Sequence, residues 1–103
     1  ASPVLAVSTN YVQAGGAANA ITATLTDDAG TNVPLADGLT LAIDLAANTL
    51  QAGANTLNFN AGGAVAITRA TSTAANLTTA FAANGVILVM YSSGAIAWLC
   101  LTQ

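Results

Sequence analysis

The chain has no histidine, no glutamate and no lysine, and Arg69 is its one cation against Asp27, Asp28, Asp37 and Asp44. Each absence removes a class of function. Nucleophilic catalysis of the Ser/His or Cys/His kind needs a base to take the proton, and none is present. Zinc would find one thiol and no imidazole. Nucleic acid requires a patch of cations that displaces counterions from phosphate, which a single arginine does not form, and the same count excludes attraction to an anionic membrane. No stretch approaches the roughly 18 consecutive apolar residues that span a bilayer, so membrane insertion is not expected. The start, ASPVLAVSTN, lacks the basic region of a signal peptide, and Ala1 in place of Met is what a chain processed or cut from a longer one would show. Cys100 has no partner for an internal disulfide and lies in the apolar run AIAWLCLTQ, where a buried, inert thiol is expected.

What remains is aliphatic and neutral. Of 103 residues 54% are hydrophobic and 5% are charged, and the net charge is −3. This length fits one domain, and the aliphatic content argues for folding rather than disorder. Natural surfaces usually carry about a quarter charged residues or more, so much of this surface is expected to be covered in an assembly.

Period-two alternation dominates. In NAITATLTDD, Ile21, Ala23 and Leu25 alternate with Thr22, Thr24 and Thr26; in GLTLAIDLA, Leu39, Leu41, Ile43 and Leu45 alternate with Thr40, Ala42 and Asp44. Both read as half-buried strands. In NTLNFNAGG, Leu57 and Phe59 point inward and Asn58 and Asn60 outward; AVAIT then pairs with it as a hairpin closed through Ala61, Gly62 and Gly63. The segment GVILVMYSSGAIAWLCLTQ gives two continuous apolar runs, the pattern of a central hairpin covered on both faces. PVLAVST is a further short strand, and QAGGAAN and DDAGTNVP carry the residues of turns. In TSTAANLTTAFAANG, Leu77 and Phe81 stand four apart before Asn84 and Gly85, so one helical turn or a loop is expected near residues 73–83. The fold class is therefore all-β: a small antiparallel sandwich or barrel of about six to seven short strands.

Candidate sites are few. Asp27, Asp28 and Asp37 sit in turn signals, where aspartate binds its own backbone, so no catalytic pair is assigned. DDAGTN imitates a calcium loop only loosely, and no metal or cofactor is expected. The Gly pairs lack the lysine and helix start of a phosphate cradle. For ligand contact the candidates are Tyr91 and Trp98, as aromatics beside neutral amides, with Arg69 and the outward Asn58 and Asn60; core or interface packing competes for Trp98.

Four segments in order, AGGAANAITATLT, PLADGLTLAIDLAANT, GANTLNFNAGGAVAI and FAANGVILVMYSSGAIAWLCL, cover most of the chain from Gly15 onward. That ordered set resembles a small β-domain of bacteriophage and prophage tail-fibre proteins. Two departures are visible: Thr40 and Ala42 stand where that family often has charges on its second strand, and SSGAIA is longer than its usual final turn. The resemblance implies a strand or linker over 1–14 and a single tail-fibre-like β-domain over 15–103. It further implies a non-enzymatic module of a virion appendage, a parallel homotrimer among other virion proteins, with bacterial surface glycan as a partner if the module is distal. Other readings of the same residues are a stand-alone carbohydrate-binding domain and a self-polymerising capsid or appendage subunit that adds its N-terminal strand to a neighbour's sheet edge.

Overall fold

The structure, a computed structural model, describes residues 10–70 and 75–102. The chain is all-β, with strands β1 (Asn10–Gln13), β2 (Gly15–Ala17), β3 (Ala20–Ala23), β4 (Thr40–Asp44), β5 (Asn55–Phe59), β6 (Ala64–Arg69), β7 (Val86–Ser92) and β8 (Ala97–Cys100). They form one sheet in the order β1-β4-β7-β8-β6-β5-β3-β2. Strands β1 and β2 lie at opposite ends of that order, yet Ala14 alone separates them in the chain. The sheet must therefore curl until its ends approach, which makes it a nearly closed barrel.

Two details of the expected sheet are corrected. There are eight strands, and the pairings β1·β4, β3·β5 and β6·β8 are parallel, so the sheet is mixed rather than antiparallel. Two of the eight were not expected: β1, over Asn10–Gln13, and β2, from QAGGAAN, which reads as a turn but places Gly15–Ala17 against β3. Gly16 takes φ 84°, and a Cβ there would lie 2.7 Å from the Ala20 carbonyl oxygen. Only glycine permits that approach. The turn proper is Ala18–Asn19, with Asn19 at φ 65°.

The helical turn expected near residues 73–83 does not form over 75–83; residues 73–74 lie outside the described set, as does the strand expected in PVLAVST. The backbone there is a loop of isolated bridges joined by a bend instead. Asn76 bridges to Thr68, Leu77 to Gly53 and Phe81 to Leu50, with Leu50 and Phe81 exchanging both main-chain bonds at 3.0 and 2.8 Å. Those partners satisfy groups that a helix would have bonded internally. Leu77, buried, and Phe81, half-buried, then reach the core from this loop. Among the described residues there is no helix, and so none long and apolar enough to cross a membrane.

Alternation places the core. Ile21, Leu41, Ile43, Leu45, Leu57, Ile67, Ile87 and Val89 are buried, and Leu25, Leu39 and Val65 pack half-buried against them. Burying each large aliphatic stabilises the fold by about 1.5–3 kcal/mol. Strand β1 also pairs with β4, so Asn10–Gln13 shares this sheet. At the centre Trp98 is 0% exposed and meets Phe59 and Tyr91 edge-on, with ring centroids 5.6 and 5.4 Å away. The hairpin β7–β8 is central as expected, but the described residues cover only its inner face.

Candidate functional site

The amide-rich stretch from Asn48 to Asn60 supplies internal wiring. Buried Asn55 donates through Nδ2 to the carbonyls of Gln51 at 2.9 Å and Gly53 at 3.1 Å, and its Oδ1 accepts from the Gln51 amide at 3.1 Å. Asn48 donates to the Gly15 carbonyl at 3.2 Å, which ties the loop after β4 to β2. The tight turn after β5 puts Asn60 at φ 51° and Ala61 at φ 56°, with the Gly62 amide donating to the Phe59 carbonyl at 3.0 Å. Positive φ at both central residues suits the right-handed twist of a hairpin, and asparagine tolerates it.

Asn58 and Asn60, expected to face outward, are both half-buried and bonded to main chain. Asn58 Oδ1 accepts from the Gly63 amide at 3.2 Å across the hairpin. Asn60 accepts from the Leu25 amide at 2.8 Å and donates to the carbonyls of Leu25 at 3.0 Å and Val33 at 2.9 Å. The loop closes on itself through the Val33 amide to the Leu25 carbonyl at 3.0 Å and a bridge between Thr26 and Asn32, and Asn60 pins its base to the hairpin. The Asp27 carboxylate shapes the same loop, accepting from the Ala29 and Thr31 amides at 2.9 and 3.0 Å.

Pinning that loop creates a groove of about 330 Å³. Its walls are the strap Asn32–Leu35 on one side and residues 60–65 on the other, with Phe59 and Trp98 at its base. No charged side chain lines it, so it suits a neutral, partly apolar group; an ion there would lose hydration without compensation. Trp98, at 0% exposure, offers no ring face for stacking. Its Nε1 is buried with no acceptor among the described residues.

Of the candidate ligand residues, Asn60 and Trp98 line this groove, Asn58 holds the adjoining turn, and Tyr91 stands behind Trp98. Arg69 lies at the other end of β6, half-buried, and its Nε donates to the Asn76 carbonyl at 3.2 Å. The strap was not foreseen as a wall. Its one signal in the sequence is the apolar Val-Pro-Leu interrupting a polar turn segment.

The acidic groups likewise serve the fold. Asp37 accepts from the Ser93 amide at 2.9 Å, and Asp44 accepts from the Ala46 amide at 2.9 Å and the Tyr11 hydroxyl at 3.1 Å. The Asp44 carboxylate raises the Tyr11 phenol above its ordinary 10.0, chiefly through that hydrogen bond, then through desolvation and like-charge repulsion. Among the described residues no three of His, Cys, Asp and Glu gather as a metal site.

A second surface is the outer face of β1, β4, β7 and β8. Register sets Tyr11 beside Ala42 and Ala42 beside Leu88, and the Leu101 amide donates to the Leu88 carbonyl at 2.7 Å. Those four side chains form one row across the sheet. Val86 flanks the row on one side, and the pair Met90 and Leu99 on the other. Comparison of the chain with protein-family models, curated proteins and solved structures finds no match.

Proposed function

We propose that the chain is a structural and adhesive module of a phage tail fibre or related virion appendage, assembled from its own copies as a homotrimer and without catalytic activity. The observation that carries this reading is how the polar side chains are used. Asp27, Asp37, Asp44, Asn48, Asn55, Asn58 and Asn60 all bond main chain, so they maintain shape rather than offer reactive groups. A sheet with so few charges outside it is suited to a particle, where neighbouring subunits replace water. Mass in solution tests this directly. A trimer that persists on tenfold dilution is the expected result, and a monomer at all concentrations refutes it.

The groove favours a second reading, a carbohydrate-binding domain. Its size falls at the lower end of small-molecule sites, about 300–1,000 Å³, and its lining is neutral. On that reading the chain is monomeric and its tryptophan emission shifts on adding a neutral sugar. Both properties combine if the module is distal: weak glycan contact at each groove, strengthened by several copies.

A further inference from the structure

We infer that the outer face of β1, β4, β7 and β8 is the surface on which a second copy of this chain docks, and that Tyr11 and Leu88 are its central contacts. The inference rests on the self-assembly reading above and names the surface it uses.

A sheet strand whose two faces meet different environments alternates apolar with polar residues. Strand β7 does not. Ile87 and Val89 fill the core, while Val86, Leu88 and Met90 point the other way with none of the described residues over them. The same face carries Ala42, Leu99 and Leu101 from the neighbouring strands and Tyr11 from the edge. Tyr11, Val86 and Leu101 are 64, 53 and 41% exposed. From these exposures the apolar residues offer on the order of 400 Å², about half of the roughly 800 Å² that each partner buries in a standard interface. Gln13, Thr40 and Asp44 at the margin extend the patch with polar groups, as the rim of an interface requires.

Charge selects a second copy as the occupant: the row itself has none, so copies of this neutral chain meet there without repulsion. Among the described residues Asp44 is the only carboxylate beside it, and both of its oxygens accept hydrogen bonds within the chain. A cationic partner would find little to pair with.

The test is sedimentation of the full chain and three variants. Leu88→Asp introduces a charge at a half-buried outer position, and Tyr11→Ser removes the exposed ring. Leu35→Asp places the same charge on an exposed apolar residue of the groove rim, away from the row. We expect an assembled wild type, at least tenfold weaker assembly for Leu88→Asp and Tyr11→Ser, and no change for Leu35→Asp. Should Leu88→Asp unfold, Tyr11→Ser decides, because its 64% exposed ring contributes little to the fold. Assembly unchanged in both face variants overturns this inference and leaves self-assembly standing. Equal loss in Leu35→Asp also overturns it, because the effect is then one of added charge. A monomeric wild type overturns the inference and the reading beneath it together.

Discussion

Replacing Asn60 by glycine isolates the clamp that forms the groove. Glycine accepts the φ of 51° without strain, so the change removes three hydrogen bonds, at 2.8, 3.0 and 2.9 Å, and nothing else from the folded turn. Each such bond contributes about 1 kcal/mol net, and the freed groups of Leu25 and Val33 are half-buried, so water recovers part of the loss. Glycine also adds unfolded-state freedom worth about 0.4–1 kcal/mol. The expected destabilisation is about 2–4 kcal/mol, a fall in Tm of roughly 10–20 °C for a domain of this size. Urea unfolding with an unchanged slope measures it. Because the chain has one tryptophan, its emission independently reports whether the strap over Trp98 has loosened. Asn58→Ala is the control: it removes a single exposed bond and is expected to cost no more than about 1 kcal/mol. An Asn60→Gly variant within 0.5 kcal/mol of wild type, a shift on the order of noise for such bonds, would show that the strap is held by something other than Asn60.

Three further outcomes are expected. Trp98→Ala should cost about 3–5 kcal/mol, whereas Trp98→Phe should cost clearly less than its lost volume suggests, because it also removes a buried N–H without an acceptor; equal losses by calorimetry would contradict this. Ile96 is a β-branched residue at φ 49° and 69% exposed, so Ile96→Asn relieves a left-handed conformation with little lost burial and should stabilise the chain by about 1 kcal/mol in urea; a loss of stability counts against the strain. Tyr11 has a folded pKa raised above 10.0, so its contribution is complete below that pH and is lost as pH rises through the folded value, where the unfolded chain has already released its proton. Tyr11→Phe should flatten that part of the alkaline stability profile, and parallel profiles for the two proteins would refute the Tyr11–Asp44 bond.

Much of the strand content was legible because its signal is local. Alternation in 20–23, 40–44, 55–59 and 64–69 assigns each residue a face wherever the strand sits, and the inward sets Ile21, Leu41, Ile43, Leu57 and Ile67 are buried accordingly. The 75–83 segment reads equally as a helical turn or a loop, for the opposite reason. A spacing of four between Leu77 and Phe81 suits a helix, but main-chain partners at Gly53 and Leu50 are distant in sequence and leave no local trace. The candidate site was legible only in fragments, since an asparagine looks the same whether it meets a receptor or clamps a loop 35 residues away.

By itself the sequence determined an all-β chain without the groups that most chemistry needs, because residue types and their period-two spacing are properties of short stretches. The tertiary structure alone decided which strands pair, that three pairings are parallel, and that Ala14 brings the ends of the sheet together. It also decided where Asn60 places its amide and which apolar face of β7 and β8 the described residues leave uncovered. The physical reason is common to all of these. Alternation says which side chains share a face, but what lies against that face is set by partners far along the chain, whose closure into one curled sheet no local pattern encodes.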